Sequence, residues 1–367
     1  MSAVRERLEA LAARGISALP DRVTGLLAGR PIRIDGQELH PQVRLALRLE
    51  GLVGGSEMLP VAEARERRRH DARVFRGPTI EVGAVTELAI PGPAGEIPAR
   101  LYRPAGDRPS PPLVVYYHGG GHVIGDLDTH DQPCRFLARE IPAIVLAVDY
   151  RMGPEHRFPA AVDDALAAFR WACDQSGALG ADPERVAVAG DSAGGNLATV
   201  VAQLTAADGG PAPCFQGLIY PTVDYSSERR SYDLFGEGFF LTREEMDWFR
   251  ENYFADEANR LDPRASPILA PDLAGLAPAF VLTCGFDPLR DEGEAYAERL
   301  REAGVPVTQR READLVHGFI NAVGLGGRAE EAMGEAAAAM RKGLAGDVPG
   351  AAVSAGGSAG TVSLPPG

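Results

Sequence analysis

Residues Val186–Ala207 read VAVAGDSAGGNLATVVAQLTAA. Four small apolar residues of buried-strand type lead into Gly190-Asp191-Ser192-Ala193-Gly194. A run of helix-compatible residues follows. Strand, sharp turn and helix in that order can hold the Ser192 hydroxyl above the edge of a sheet, and the flanking glycines permit the tight backbone. On these residues alone Ser192 is also a good helix N-cap. The same Gly-x-Ser-x-Gly pattern recurs at Gly356–Gly360, around Ser358. Chance gives about 0.2 matches in a chain of this composition, so context must separate the two copies. Ser358 has no strand before it and no helix after it. It sits in the Gly-, Ala-, Ser-, Val- and Pro-rich stretch from about Ala345, residues 345–367, which is expected to be a disordered tail.

Further short apolar runs extend the pattern outward from Ser192. Leu113–Tyr117, Ala143–Val148, Phe215–Ile219 and Phe280–Cys284 read as buried strands, and Val307–Arg311 as a further one. Val162–Gln175, Gly194–Ala207 and Asp291–Ala303 read as helices between them. Alternation of this kind predicts an α/β fold, with a mostly parallel central sheet flanked by helices on both faces. Thr79–Ile90 and Ile97–Tyr102, punctuated by Pro and Gly, predict a hairpin that forms an antiparallel edge. The catalytic domain is therefore drawn at 77–344. Residues 1–76 read as helices too charged to form a core alone. The aromatic stretch Ser231–Phe254 interrupts the alternation and predicts an insertion, about 226–258, that folds over the sheet and joins the N-terminal helices as a cap. A surface excursion carrying one core helix is the plainer alternative.

Composition narrows the function classes. The 367 residues are 45% hydrophobic and 24% charged, the balance of a globular protein. The net charge, 37 − 51 = −14, repels a phosphate backbone and argues against a nucleic-acid partner. No apolar run approaches the roughly 20 residues of a membrane helix. The N-terminus, MSAVRERLEALAARG, lacks the apolar core of a secretory signal, so a cytoplasmic location is expected. Cys134, Cys173, Cys214 and Cys284 stand singly, which suits small buried hydrophobes rather than a zinc or redox motif.

A serine nucleophile needs a base, an acid to orient that base, and donors for the developing oxyanion. His118-Gly119-Gly120-Gly121 follows the strand LVVYY. Its glycines leave backbone N–H groups uncovered; Gly119 and Gly120, with Ala193 after the nucleophile, are the expected donors. His118 is expected to hold the loop. Of seven histidines, His317 in Val316-His317-Gly318-Phe319 lies at the end of the strand series, where the order Ser, acid, His places the base. Asp287, just past FVLTC, is the preferred acid. Asp291 reads as a helix-start residue and Asp314 lies too close in sequence to His317.

The segments HGGGHVIGDLDTHD, VDYRMGPEHRFPAA, GDSAGGN, DPLRDEGEAYAERL and VHGF, in that order from about Tyr102 to Phe319, resemble the bacterial hormone-sensitive lipase family of esterases, in its GDSAG subgroup. The resemblance implies the α/β-hydrolase fold, a Ser192–Asp287–His317 triad, an oxyanion hole at Gly119, Gly120 and Ala193, and a cap containing N-terminal helices. It implies support from His118, Gly121 and Asp191, and from Glu155 through a hydrogen-bond network. It implies hydrolysis of small-molecule esters with acyl chains of about two to eight carbons, without a metal or organic cofactor, by a homodimer. Two positions depart from the family pattern. His122 stands where an apolar or aromatic residue follows HGGG, and is expected to alter the polarity of the pocket mouth; Gly153 replaces an alanine.

Overall fold

The computed structural model describes residues 3–53 and 58–347. Ser358 and nearly all of the tail expected from about Ala345 lie outside the described residues. Four helices open the chain: α1 (Ala3–Ser17), α2 (Asp21–Ala28), α3 (Pro41–Val53) and α4 (Val61–Phe75). A short hairpin, β1 (Arg33–Ile34) and β2 (Gln37–Glu38), joins α2 to α3.

An eight-stranded sheet follows, built from β3 (Ala84–Gly92), β4 (Gly95–Arg103), β5 (Leu113–Tyr117), β6 (Ile144–Val148), β7 (Val186–Asp191), β8 (Gln216–Ile219), β9 (Ala279–Phe286) and β10 (Val307–Val316). Its order is β10-β9-β8-β7-β5-β6-β4-β3. The β3–β4 and β4–β6 pairs are antiparallel and the others parallel, so the early hairpin supplies the antiparallel edge. Helices α5 (Asp131–Glu140), α6 (Ala160–Gln175), α7 (Ala193–Asp208), α10 (Arg290–Glu302) and α11 (Gly327–Leu344) cover it, while α8 (Arg230–Phe235) and α9 (Arg243–Tyr253) belong to the insertion.

The run LVVYY is buried throughout because both sheet faces are covered. Leu113, Val115 and Tyr117 point into one layer with Ala165, Leu197, Val201, Tyr296 and Leu300 of α6, α7 and α10. Val114 and Tyr116 point into the other with Phe136, Leu137, Met333 and Met340 of α5 and α11. Helices α5 and α11 were not legible in sequence; the buried stripe of α11, Ala332, Met333, Ala336, Ala337, Met340 and Leu344, is half alanine, a weak apolar signal in a stretch that also holds Gly327, Gly334 and Gly343.

The insertion is held from both sides. Helix α9 starts on a capping box, with the Thr242 hydroxyl accepting from the Glu245 N–H and the Glu245 carboxylate accepting from the Thr242 N–H. Phe235 and Phe239 pack with Phe286, Val316 and the N-terminal Leu39, all buried. Tyr232 and Met246 pack with Leu289. The segment around Leu39 thus sits at the carboxyl ends of β9 and β10, where Gln37 also donates to the Gly285 carbonyl at 3.2 Å. The ends of β7, β9 and β10 deliver residues 192, 287 and 317 to one edge of the sheet, the edge where open α/β sheets place their ligands.

Candidate active site

Ser192 occupies the turn between β7 and α7 with φ 56° and ψ −120°, a left-handed conformation that side chains avoid. Its backbone is over-determined. The Ser192 N–H donates to the Ile219 carbonyl at 2.9 Å, and the Ser192 carbonyl accepts from Asn196 at 3.0 Å and Thr222 at 3.2 Å. A Cβ at Gly194 would collide with the Tyr117 carbonyl oxygen, and one at Gly190 with the backbone of Gly194. The glycines of the pentapeptide are thus required by close backbone approach. Ser192 precedes α7 but its side chain accepts no cap hydrogen bond, so the N-cap alternative does not describe it.

Three side chains form one hydrogen-bonded line. His317 Nε2 lies 2.9 Å from Ser192 Oγ, and His317 Nδ1 lies 2.8 Å from Asp287 Oδ2. Asp287 is fully buried, and its other oxygen accepts the Leu289 N–H at 2.8 Å. The Tyr220 ring packs against the imidazole, centroids 4.5 Å apart. His317 reaches this point because β10 breaks register between Glu312 and Val316 before its end. Asp291 stays out of the line. It accepts from the Ser231 N–H at 2.9 Å and from Arg290 Nε at 2.8 Å, which ties the start of α10 to the insertion. Asp314 pairs with Arg328.

The glycine loop departs from expectation at one position. The Gly119 N–H donates to Asp191 Oδ1 at 2.9 Å, so it is engaged and cannot serve as an oxyanion donor. Gly120 and Gly121 line the cavity beside Ser192, and among the described residues neither N–H meets a protein acceptor. Both have positive φ, 120° and 61°, and a Cβ on either would collide with Ile124 or the Phe249 ring. The N–H groups left without a protein acceptor in this loop are thus those of Gly120 and Gly121, not that of Gly119.

Asp191 anchors that loop from beneath. It also accepts from the Tyr116 hydroxyl at 2.7 Å and lies 3.5 Å from His130 Nε2. Burial pushes its carboxyl up, but His130, Tyr116 and the Gly119 N–H outweigh burial and hold it at about 2. His118 bonds its own loop through the Gly119 carbonyl at 2.9 Å and stacks on Tyr150 at 4.4 Å. Burial, then the neighbouring His130, pushes its imidazole down to about 4, so it is neutral at pH 7. His130 was not singled out in sequence; it lies inside the quoted segment HGGGHVIGDLDTHD, whose length hid which of its residues folds back.

Glu155 enters a hydrogen-bond network through helix α4. Its carboxylate is more than half exposed and pairs with Arg65 of α4 at 2.7 Å, and Arg65 also binds the carbonyls of Val123 and Gly153 at 2.8 Å. It supports the site by fastening α4 to the loop behind the cavity. His122 is not at the pocket mouth. It is fully buried, with its ring stacked on Tyr253 at 4.1 Å.

The cavity has a volume of about 190 Å³. Ser192, His317, Gly120 and Gly121 form its floor, and Phe240, Leu241, Met246 and Phe249 of the insertion form much of its wall. Of the N-terminal helices only α4, through Arg68, puts a side chain on that wall among the described residues.

A family profile described as alpha/beta hydrolase fold matches residues 114–321, more than half of the chain. The carboxylic ester hydrolase LipN of Mycobacterium tuberculosis is 49% identical over 325 residues, covering 86% of each chain. This chain belongs to the hormone-sensitive-lipase-like esterases of the α/β-hydrolase fold. The ethyl acetate hydrolase of Pseudomonas putida is 41% identical, covering 74% of this esterase and 87% of its own length. Among solved structures, an ester hydrolase from the metagenome of Lake Arreo, bound to a bipyridine phosphonate derivative, superposes with a TM-score of 0.81 at 44% identity. That match covers 84% of this esterase and 99% of the other chain. No helix among the described residues is long and apolar enough to cross a membrane.

Proposed function

We propose that this esterase hydrolyses small carboxylic esters of short acyl chain through an acyl-enzyme on Ser192. The observation that carries the reading is the continuous line from Ser192 Oγ through His317 to the buried Asp287, at the floor of a cavity of about 190 Å³.

With Nδ1 protonated and held by Asp287, His317 presents the bare Nε2 to the Ser192 hydroxyl. Oγ attacks the ester carbonyl carbon as His317 takes its proton. The carbonyl oxygen becomes an oxyanion and accepts from the N–H groups of Gly120, Gly121 and Ala193, the last at the free amino end of α7. The imidazolium, paired with Asp287, then protonates the leaving alkoxide as the ester C–O bond breaks. A water attacks the acyl-enzyme with His317 again as base, and the returned proton frees the carboxylic acid from Ser192.

The wall of Phe240, Leu241, Met246 and Phe249 supports a cap role for the insertion, with α4 as its N-terminal part. A cytoplasmic location, with four free cysteines, and a homodimer belong to the same reading. The test is a series of 4-nitrophenyl esters from acetate to dodecanoate, with matched anilides alongside. We expect kcat/KM to peak at or below about eight carbons, with esters far ahead of anilides. A peak at long chains would refute the short-chain reading, and faster anilide cleavage would make the protein an amidase.

A further inference from the structure

Helix α4 is an arginine-rich helix whose cations are almost all spoken for. Arg65 pairs with Glu155 at 2.7 Å, Arg67 with Asp71 at 3.3 Å, Arg69 with Asp126 at 2.6 Å and Arg73 with Glu6 at 3.0 Å. Arg68 differs. Among the described residues no carboxylate lies within 4.0 Å of it, and its Nε is buried with no hydrogen-bond acceptor. The same side chain lines the cavity that holds Ser192 and His317.

The other charged groups on that wall are committed. Arg250 pairs with Asp247 and with Glu228, so that although its Nε too is buried without an acceptor, its charge has carboxylate partners. Glu245 is occupied by the Thr242 N–H and hydroxyl at 2.9 and 3.2 Å. Asp191 is held by Tyr116 and Gly119. Ile124, Leu241, Met246 and Phe249 give the same cavity apolar surface, beside the neutral polar Thr222, Tyr225, Tyr232 and Asn321. A guanidinium on such a wall with no carboxylate partner is costly, and an anion that enters the cavity supplies one. The planar fork of arginine fits a carboxylate in particular.

We infer that Arg68 is a specificity residue that selects esters carrying a carboxylate remote from the scissile bond, such as half-esters of short dicarboxylic acids. This rests on the ester-hydrolase reading of Ser192 and deepens it by naming the substrate class. Arg68 binds the remote carboxylate while the ester carbonyl sits on Ser192. The bond broken is still the ester C–O bond, and the products are an alcohol and an acid, one of which keeps the extra carboxylate. The net charge of −14 repels anions at long range, so a dedicated cation inside the cavity is what lets an acidic ester compete with a neutral one.

The experiment measures kcat/KM for two matched pairs in the full-length protein. One pair is mono-4-nitrophenyl succinate and 4-nitrophenyl butanoate; the other is 4-acetoxybenzoate and 4-methylphenyl acetate. The readout is the acidic-to-neutral ratio within each variant, so a general loss of activity cancels. For at least one pair we expect that ratio to fall at least tenfold in Arg68→Met and further in Arg68→Glu, and to be largely kept in Arg68→Lys. Charge-assisted hydrogen bonds are worth about tenfold or more. An unaltered ratio for both pairs in Arg68→Met and Arg68→Glu overturns the inference. A second measurement needs no variant: succinate should inhibit wild-type butanoate hydrolysis at least about tenfold more tightly than succinamide, and equal inhibition overturns the inference. Absence of hydrolysis of either neutral ester by the wild type would instead defeat the ester-hydrolase reading.

Discussion

Replacing Asp287 by Asn changes one oxygen to an NH₂ group at a site with two fixed neighbours. One neighbour, the Leu289 N–H, is a donor 2.8 Å from Oδ1. The other, His317 Nδ1, is 2.8 Å from Oδ2 and must carry the proton if Nε2 is to accept from Ser192. An Asn that keeps its oxygen on Leu289 points NH₂ at Nδ1. The imidazole then turns Nδ1 into an acceptor and puts its proton on Nε2, which leaves Ser192 without a base. An Asn flipped the other way sets NH₂ against the Leu289 N–H in a fully buried place, at about 1–3 kcal/mol for the unsatisfied donors. The first arrangement is therefore preferred, and kcat should fall by about 10⁴, as the corresponding change does in a comparable triad. Asp291→Asn is the control. Its partners are the Ser231 N–H and Arg290, not the imidazole, so its loss in kcat should stay below about tenfold with a destabilisation of around 1 kcal/mol. The assay is steady-state hydrolysis of 4-nitrophenyl butanoate, with thermal melts to verify folding. A loss below tenfold in Asp287→Asn, or equal losses in the two variants, would refute this reasoning.

Three further outcomes follow from the geometry. Gly121→Ala adds a Cβ that must meet the Phe249 ring at φ 61°, so kcat should drop by about 10² or more as an oxyanion donor is displaced; a near-normal kcat would remove Gly121 from that role. Burial pushes the Glu292 carboxyl up to about 8 against its hydrogen bonds from the Val223 N–H and the Tyr232 hydroxyl. A raised folded-state value means that stability is full below the ordinary carboxyl range and is lost as pH rises through about 8, by at most about 1.4 kcal/mol per pH unit. The Tm of Glu292→Gln should accordingly fall less than that of the wild type between pH 5 and about 8, and parallel curves would contradict this. Deleting residues 1–40 removes Leu39 from the Phe235, Phe239, Phe286 and Val316 cluster, while Leu8, Leu11 and Leu26 of the lost helices are largely exposed. We expect a Tm shift of only a few degrees and a kcat/KM loss that depends on acyl length. A chain that cannot fold, or unaltered kinetics on every ester, would contradict a role for residues 1–40 in holding the insertion over the site through Leu39.

Buried strands and the elbow were legible because their signals are local. LVVYY and VAVA are apolar on both faces, and the strand-turn-helix context set Ser192 apart from Ser358. Ser192, Asp287 and His317 were legible as candidates because each directly follows the end of a strand. What failed needed contacts distant in sequence. HGGG does not tell which N–H is free; that is decided by Asp191, 72 residues from Gly119. Nor does the sequence name the partner of Glu155, which is Arg65, 90 residues away. His122 was placed at the mouth because it follows the oxyanion loop, but its φ of 59° turns the ring back onto Tyr253. Arg68 was one arginine in a charged run, and only the pairing of its neighbours sets it apart.

The most direct test of the central claim is to trap the nucleophile. A short-chain 4-nitrophenyl alkylphosphonate should release one equivalent of 4-nitrophenol. Peptide mass spectrometry should then find the phosphonyl group on Ser192, within Val186–Ala207, with no label and no ester turnover in Ser192→Ala. A label on Ser358, or hydrolysis that persists in Ser192→Ala, would contradict the account.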